Sequence, residues 1–464
     1  MKKTSIVIVA CMMLLTSCSF LKSTQKEPEN TVTSIFSDNA SSQYDGFYES
    51  ESSDESVLDD LLESVSKSDA SSMTSSFVNF SSQSKKESSS GTSKAQSTSK
   101  ASQGSTSSSF VKREEAKEMR GVWISYVDLG SKFGNSDAEF KTYIDGKLTA
   151  AKNARMNTVY FHVRPFGDAL YPSSYYPVSH LLTGKQGDTL KLSFDPLEYV
   201  INKSHELGLE LHAWINPLRV KVSNSTPPNF SADNPAVLHP DWTIESGILK
   251  FYDVTKKEVK DLVTNGVKEI VEKYNVDGIH FDDYFYREES GIDKDTYTKE
   301  VNILVKNIYS AVKAIKKDVV FGISPAGNPE NAANSGADVK TWGSVAGYVD
   351  YLCPQIYWTD EYKLDSYKYS RVLQRWSSEI VKSSSVKLYV GLDLNKVGAA
   401  GLPPNDLGWD SGSKSILKDQ VLKARTCGNY YGFIILSHSN FTKTEAQAAE
   451  IATLQEILKE EYNI

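Results

Sequence analysis

From residue 119 onward, short apolar runs alternate with longer segments in which apolar residues recur every three or four positions. The short runs have the length of buried strands, and the longer segments have the period of helices that bury one face. Repeated strand–helix units of this kind indicate a parallel sheet. Eight candidate strands follow one another along this part of the chain, at residues 121–126, 158–163, 209–215, 278–282, 319–324, 351–356, 388–392 and 432–436.

The clearest helical pattern lies between the third and fourth of these strands. One face of that helix carries Val259, Leu262, Val263, Val267, Ile270, Val271 and Tyr274. Eight strand–helix units in roughly 345 residues fit an α/β fold of the (β/α)8 barrel type with loop insertions. A doubly wound open sheet is the alternative, and it is disfavoured because no glycine-rich phosphate turn follows the first strand.

Long polar connections, residues 165–193 and 217–250, follow the second and third predicted strands. Insertions after the strands of such a barrel lie on the face formed by the carboxyl ends of the strands, where barrel enzymes hold their active sites. We therefore expect the functional residues at those strand ends.

The first residues of the chain have the pattern of a lipoprotein signal peptide. Lys2 and Lys3 precede an apolar run, residues 6–15, which is shorter than the roughly 20 residues that a membrane-spanning helix needs. The run leads into Leu15-Thr16-Ser17-Cys18, where cleavage before the cysteine would leave a lipidated residue. We expect residues 1–17 to be removed and Cys18 to anchor the protein to the extracytoplasmic face of the cell membrane. An ordinary secretory signal is the alternative.

Residues 18–115 are dominated by Ser, Thr, Lys, Glu and Gln. Such a segment buries too little apolar surface to offset its ordering entropy, so we expect a disordered Ser-rich tether before a folded domain at residues 116–464. In that domain Cys353 lies in a candidate strand as a buried apolar filler, and a disulfide with Cys427 is not expected.

The charge distribution argues against nucleic acid as a partner. The chain carries a net charge of −8, and its Lys and Arg residues are interleaved with Asp and Glu instead of clustered. The 25 tyrosines and 7 tryptophans are compatible with stacking on sugars, although core packing explains most aromatic residues equally well.

Polar and aromatic side chains recur where the candidate strands end. Arg164 and Asn216 each precede a proline, and Gln355-Ile356-Tyr357-Trp358 spans the end of the sixth strand. A strand that supplied only core would not need such residues at its tip, so their recurrence indicates a functional mouth. The residues that we expect to contact a substrate are Arg164, His212, Trp214, Asn216, His280, Tyr284, Gln355, Tyr357, Trp358 and Asp393.

The most informative strand end is residues 277–284. Because side chains alternate along a strand, His280 and Asp282 share one face while Ile279 and Phe281 share the other. If the two apolar residues pack outward on helices, Asp282 faces the barrel mouth. A carboxylate there can act as acid, base or nucleophile in sugar cleavage, and a helix-capping role is the structural alternative.

Glycoside hydrolysis normally needs a second carboxylate. Asp283 is adjacent to Asp282 and is included as a candidate catalytic residue, although alternation turns it away from the mouth. Asp393, Asp360 and Glu330 are the candidates at other strand ends. The spacing does not rank them, and retaining and inverting outcomes both stay open.

Three histidines provide a different possibility. His162, His212 and His280 lie two residues before Arg164, Trp214 and Asp282, so neighbouring strands could place the imidazoles in one layer. Three imidazoles beside a carboxylate could hold a divalent metal and activate water. Hydrogen-bonded histidines below an active site would give the same pattern, so we expect neither a metal nor a cofactor.

The strand-end motifs resemble those of the glycosyl-hydrolase-like family 10, a group of bacterial surface lipoproteins with a (β/α)8 domain. The matching segments are Arg120-Gly121-Val122-Trp123, residues 157–165, His212-Ala213-Trp214-Ile215-Asn216-Pro217, residues 277–284, Gly322-Ile323-Ser324-Pro325 and Pro354-Gln355-Ile356-Tyr357-Trp358. The resemblance covers essentially residue 119 to the end. It implies a glycosidase that cleaves O-glycosyl bonds in the glycan strands of peptidoglycan, including strands stripped of their peptide stems.

Two other functions stay open at this point. One is a non-catalytic glycan-binding surface lipoprotein that stacks sugars on Trp214, Tyr357 and Trp358. The other is a metal-dependent hydrolase built on the three histidines.

Overall fold

The computed structural model describes residues 118–459, apart from 130–133, 135, 224–226, 228, 283–284, 286–289, 384, 400–401, 403 and 411–414. The predicted signal peptide, Cys18 and the whole predicted tether, residues 18–115, lie outside the described residues. Among the described residues, no helix combines the length and the apolar composition that crossing a bilayer requires.

Eight parallel strands close into a barrel. In chain order they are β1 (Met119–Ile124), β2 (Thr158–Arg164), β3 (Glu210–Ile215), β7 (Gly278–Asp282), β8 (Val320–Ser324), β9 (Tyr351–Leu352), β10 (Lys387–Asp393) and β11 (Tyr430–Leu436). Three further strands, β4 (Arg219–Lys221), β5 (Thr243–Ser246) and β6 (Leu249–Tyr252), form a small antiparallel sheet within the connection after β3.

The helices form the outer layer and the connections. They are α1 (Tyr126–Leu129), α2 (Asp137–Asn153), α3 (His180–Thr183), α4 (Pro196–Glu206), α5 (Pro235–Leu238), α6 (Lys257–Lys273), α7 (Lys294–Ile315), α8 (Pro329–Asn334), α9 (Val339–Ser344), α10 (Tyr369–Arg375), α11 (Ile416–Ala424) and α12 (Glu445–Lys459). A π-helical turn, Trp376–Ile380, continues α10, and short 3-10 turns lie at Pro240–Trp242, Asp365–Tyr367, Leu407–Asp410 and His438–Asn440.

The barrel confirms the fold predicted from the alternating pattern. Each predicted strand matches a barrel strand, and the first strand pairs with both the second and the last, which excludes the open sheet. Helix α6 buries Val259, Leu262, Val263, Val267, Ile270 and Val271, so the predicted face is the one that packs on the sheet.

The barrel interior is filled with large rings that sit opposite glycines. A Cβ on Gly322 would lie 2.2 Å from the Tyr351 ring, and a Cβ on Gly278 would lie 2.5 Å from the His212 ring. Because glycine has no side chain, these positions leave room for the rings that pack against them. Apolar residues between the strands and the helices form the main core.

All eight barrel strands are parallel, so their carboxyl ends lie on one face of the domain. The antiparallel sheet of β4, β5 and β6 belongs to that face because it follows β3. Cys353 is fully buried, and neither it nor Cys427 forms a disulfide.

Candidate active site

Asp282 is the last residue of β7, at the barrel mouth. Its neighbours on the other face of the strand, Ile279 and Phe281, are fully buried in the core. His280 shares the face of Asp282, and its ring lies inside the barrel, 4.7 Å from the Tyr160 ring. The alternation therefore places Asp282 on the interior side at the mouth, where it is half-buried. Its catalytic role stays a prediction.

Gln355 holds the carboxylate of Asp282. The Nε2 atom of Gln355 donates a hydrogen bond to Asp282 Oδ1 at 2.8 Å and also reaches the main-chain oxygen of Ser324 at 3.3 Å. An amide donor stabilises the charged form of a carboxylate. The thiol of Cys353 lies nearby: burial raises its pKa, and the charge of Asp282 raises it further.

Asn216 holds the main chain of Asp282. Its Nδ2 atom donates to the main-chain oxygen of Asp282. Its Oδ1 atom contacts His162 Nε2 at 2.5 Å and accepts from Arg219 Nη2 at 2.5 Å. The main-chain N–H of Tyr126 donates to His162 Nδ1 at 3.3 Å, so the ring proton is assigned to Nε2, which donates to Asn216. Asn216 is therefore held by three neighbours below the mouth, and its contact with a substrate stays a prediction.

The other two interior histidines belong to a second chain of hydrogen bonds. Trp123 Nε1 donates to His280 Nε2 at 3.1 Å, so His280 carries its proton on Nδ1 and donates to the hydroxyl of Tyr351 at 2.9 Å. That hydroxyl then donates to His212 Nδ1 at 3.2 Å. Each donor in this series of hydrogen bonds has one acceptor, so the orientation of both histidine rings is fixed.

Burial keeps all three histidines neutral. It lowers the pKa of His212 to about 4 and the pKa values of His162 and His280 well below the usual range. Desolvation is the largest cause in each case, because a charged imidazole has lost its water.

The prediction that the three imidazoles share one layer is wrong. His162 pairs in register with Trp214, and Trp214 pairs with His280, whereas His212 pairs with Tyr160 one layer deeper. The ring nitrogens of His162 and His280 are already used in hydrogen bonds. Among the described residues, no group of three or more His, Cys, Asp or Glu side chains could hold a metal ion.

Asp393 is the candidate second carboxylate that lies inside the barrel. It ends β10 on the same face as Tyr389, whose ring is 4.6 Å from the interior Tyr351 ring. Its Oδ1 atom accepts from the main-chain N–H of Asn395 at 2.8 Å. Burial raises the pKa of this carboxyl, although the nearby Lys396 opposes the rise.

The other two candidates are held in ion pairs away from the barrel interior. Glu330 lies in the first turn of α8 and accepts two hydrogen bonds from Arg375, which lowers its pKa. Asp360 pairs with Lys423 and accepts from Ser370, which outweighs partial burial and lowers its pKa. Through these contacts, Glu330 and Asp360 join neighbouring segments of the domain.

Most of the predicted substrate contacts are buried. Arg164 lies under the loop after β2, with its guanidinium 4.4 Å from the Tyr176 ring centre. Trp214 stacks on His162 inside the barrel at 3.9 Å. The buried side chains among them are Arg164, His212, Trp214, Asn216, His280, Tyr357 and Asp393. Gln355 and Trp358 are partly exposed, and Asp283 and Tyr284 lie outside the described residues.

Two residues at the mouth were not singled out from the sequence as site residues. Arg219, in β4, donates to Asn216, and its only sequence signal is a basic residue shortly after a strand end. Ser324 pairs in register with Asp282, and its buried hydroxyl has no hydrogen-bond partner among the residues that the structure describes. The Ser324–Asp282 pairing depends on how neighbouring strands align, and the Arg219–Asn216 contact depends on how the chain turns after β3, so the sequence pattern does not show either contact.

The sequence pattern of the family Glycosyl hydrolase-like 10 matches residues 118–302 and 296–409, which include every barrel strand except β11. The chain belongs to the glycosyl hydrolase-like 10 family. Membership in this family, together with a carboxylate at the barrel mouth, supports the assignment of the protein as a glycoside hydrolase.

Two relatives of this family member are themselves called glycosyl hydrolases. Glycosyl hydrolase YngK of Bacillus subtilis (strain 168) is 35% identical over 325 residues, which cover 62% of this chain and 63% of that protein. Glycosyl hydrolase DigH of Escherichia coli (strain K12) is 33% identical over 337 residues, which cover 62% of this chain and 75% of that protein. The chain thus spans less than two thirds of the length of YngK.

Among solved structures, the alpha-L-fucosidase isoenzyme 2 from Paenibacillus thiaminolyticus aligns with a TM-score of 0.45 and 14% identity. The alignment covers 74% of this chain and 49% of the fucosidase.

Proposed function

We propose that this family member hydrolyses O-glycosyl bonds of a cell-wall polysaccharide, with Asp282 as the carboxylate that acts on the sugar. The observation that carries this proposal is the half-buried Asp282 on the interior face of β7, with Oδ1 held by Gln355 at 2.8 Å. A carboxylate fixed at the end of a barrel strand can attack a ring carbon or activate water against it.

The surroundings of Asp282 and Asp393 support an assignment of roles. The amide N–H of Gln355 holds Asp282 Oδ1 in one orientation, and a carboxylate fixed in this way suits a base or nucleophile. Burial favours the protonated form of Asp393, which suits a general acid. An acid and a base in one site commonly differ in their surroundings, as these two carboxyl groups do.

Peptidoglycan glycan strands are the proposed substrate. The support is the resemblance of the strand-end motifs to a family of bacterial surface lipoproteins that is associated with this polymer. The lipoprotein pattern that ends at Cys18 fits the same location, since it would place the domain at the extracytoplasmic face of the membrane. Replacing Cys18 with Ser should move the protein from the membrane fraction to the soluble fraction, and an unchanged membrane fraction would contradict the lipid anchor.

The test of the hydrolase is turnover. Purified protein incubated with peptidoglycan glycan strands, with and without peptide stems, should release new reducing ends in proportion to protein concentration. Mass spectrometry should show shortened sugar chains as the products. A chelator should leave the rate unchanged, because the interior histidines are committed to hydrogen bonds.

A glycan-binding lipoprotein without activity is the competing function. The partly exposed Trp358, whose ring lies 5.1 Å from Tyr367, could stack on a sugar without any chemistry. Saturable binding of glycan strands with no new reducing ends, across a panel of wall polysaccharides, would replace the hydrolase with this function.

A further inference from the structure

Arg219 is a half-buried guanidinium at the rim of the mouth. Its Nε atom donates to the main-chain oxygen of Pro165 at 2.8 Å, and its Nη2 atom donates to Asn216 Oδ1 at 2.5 Å. The rings of Tyr126 and Phe166 lie 5.4 and 5.3 Å from the centre of the guanidinium. These four contacts fix the plane of the group.

All of these partners are uncharged. Among the residues that the structure describes, no Asp or Glu side chain lies within ion-pair distance of Arg219. Other half-buried arginines of the domain do have one: Arg425 pairs with Glu118, and Arg375 pairs with Glu330. Removing a cation from water without a counter-charge is unfavourable, so the position of Arg219 indicates an anionic ligand.

The guanidinium is joined to Asp282 through one side chain. Asn216 accepts from Arg219 with its Oδ1 atom and donates to the main-chain oxygen of Asp282 with its Nδ2 atom. Asn216 therefore connects the guanidinium to the strand end that carries the proposed reaction centre.

We propose that Arg219 binds a carboxylate carried by the sugar next to the cleaved bond, which makes this site selective for acidic glycans. The proposal rests on the proposed function for its choice of ligand. A guanidinium presents paired N–H donors that match a carboxylate, and the two rings hold it in one orientation. In peptidoglycan, a muramic sugar without its peptide stem carries such a carboxylate.

Binding measurements test this without depending on turnover. The probes are peptidoglycan glycan strands with free muramic carboxylates and the same strands with those carboxylates converted to amides. A hydrogen-bonded charged group contributes roughly 1.5–3 kcal/mol, so wild-type protein should bind the acidic strand about 10- to 150-fold more tightly than the amide. Arg219→Gln should reduce this preference to about one, and Arg219→Lys, which keeps the charge but not the planar fork, should retain part of it.

Arg155→Gln is the matched control. Arg155 is exposed and precedes β2, so it lies at the opposite end of the barrel, and its loss should leave the preference unchanged. Thermal unfolding of each variant checks that the domain is folded.

Three results would overturn the role of Arg219. Wild-type protein could bind both strands equally, it could bind neither, or Arg219→Gln could weaken both strands by the same factor. The last result would mean that Arg219 only orients Asn216. Turnover in the same samples tests the hydrolase separately: a charge preference without new reducing ends would retain the Arg219 site and reject the proposed reaction.

Discussion

At the scale of single residues, Gln355 is a hydrogen-bond donor to the carboxylate of Asp282. Its Nε2 atom donates to the catalytic candidate at 2.8 Å. Gln355→Leu removes that donor while keeping a similar volume, so kcat should fall about 10- to 150-fold, the range expected for a hydrogen bond to a charged group. Steady-state kinetics on glycan strands measures the change. Gln374→Leu, on an exposed position of α10, is the control and should leave kcat unchanged; equal rates for both variants would show that Gln355 does not act on Asp282.

The buried His212 should make folding stability depend on pH. Its folded pKa of about 4 is below that of an unfolded histidine, near 6.5, so the unfolded chain binds the extra proton between these values. The contribution is fully present above pH 6.5 and is lost as the pH falls toward 4, with a size of about 3 kcal/mol. Urea unfolding of wild type and His212→Gln between pH 6.5 and 4.5 should show the shallower dependence in the variant. Parallel curves would mean that His212 does not titrate on unfolding.

The positions of His280 and Asp282 could be predicted from the sequence, because side chains along a strand alternate with a fixed period of two. It did not predict that Asn216 and Arg164 would be covered. Their burial depends on how the segments after β2 and β3 fold back over the strand ends, which brings Tyr176 onto Arg164 and Arg219 onto Asn216.

At the scale of elements, the apolar runs predicted the barrel strands closely, and β7 has the bounds expected from the sequence. The predicted strand 351–356 forms only over Tyr351–Leu352. Pro354 lacks the N–H that a continuing ladder needs, and Gln355 instead forms isolated bridges to Ala326 and Gly391. The three short strands β4 to β6 were expected to be loop, because strands of three or four residues are too short to show a repeat of apolar and polar positions.

The interior glycines give a prediction at the same scale. Gly322→Ala would place a methyl group 2.2 Å from the Tyr351 ring, which also bonds to His280 and His212. Overpacking of this kind should destabilise the domain by about 1–3 kcal/mol. Gly146→Ala is the matched control: it is exposed in α2 with no atom within 4 Å of the added Cβ, and should stabilise by about 0.5–1 kcal/mol. Urea unfolding of both variants measures the change in the free energy of unfolding. No change for Gly322→Ala would contradict the ring packing.

At the scale of the whole molecule, the number of strand–helix units was enough to predict a closed barrel, because eight such units fill the circumference. Closure then brings residues far apart in sequence to one mouth, among them Asp282 on β7 and Asp393 on β10. The sequence ranked neither Asp393 nor its competitors, since the ion pairs that occupy Asp360 and Glu330 arise only from the packing of surface segments.

The most direct measurement is the rate of glycan cleavage by Asp282→Asn beside wild-type protein, with thermal unfolding as the check on folding. Loss of the carboxylate should lower the release of reducing ends by about 100- to 10,000-fold, while the amide keeps the size of the side chain and the domain stays folded. A folded Asp282→Asn variant that cleaves glycan strands at the wild-type rate would contradict the central role of Asp282.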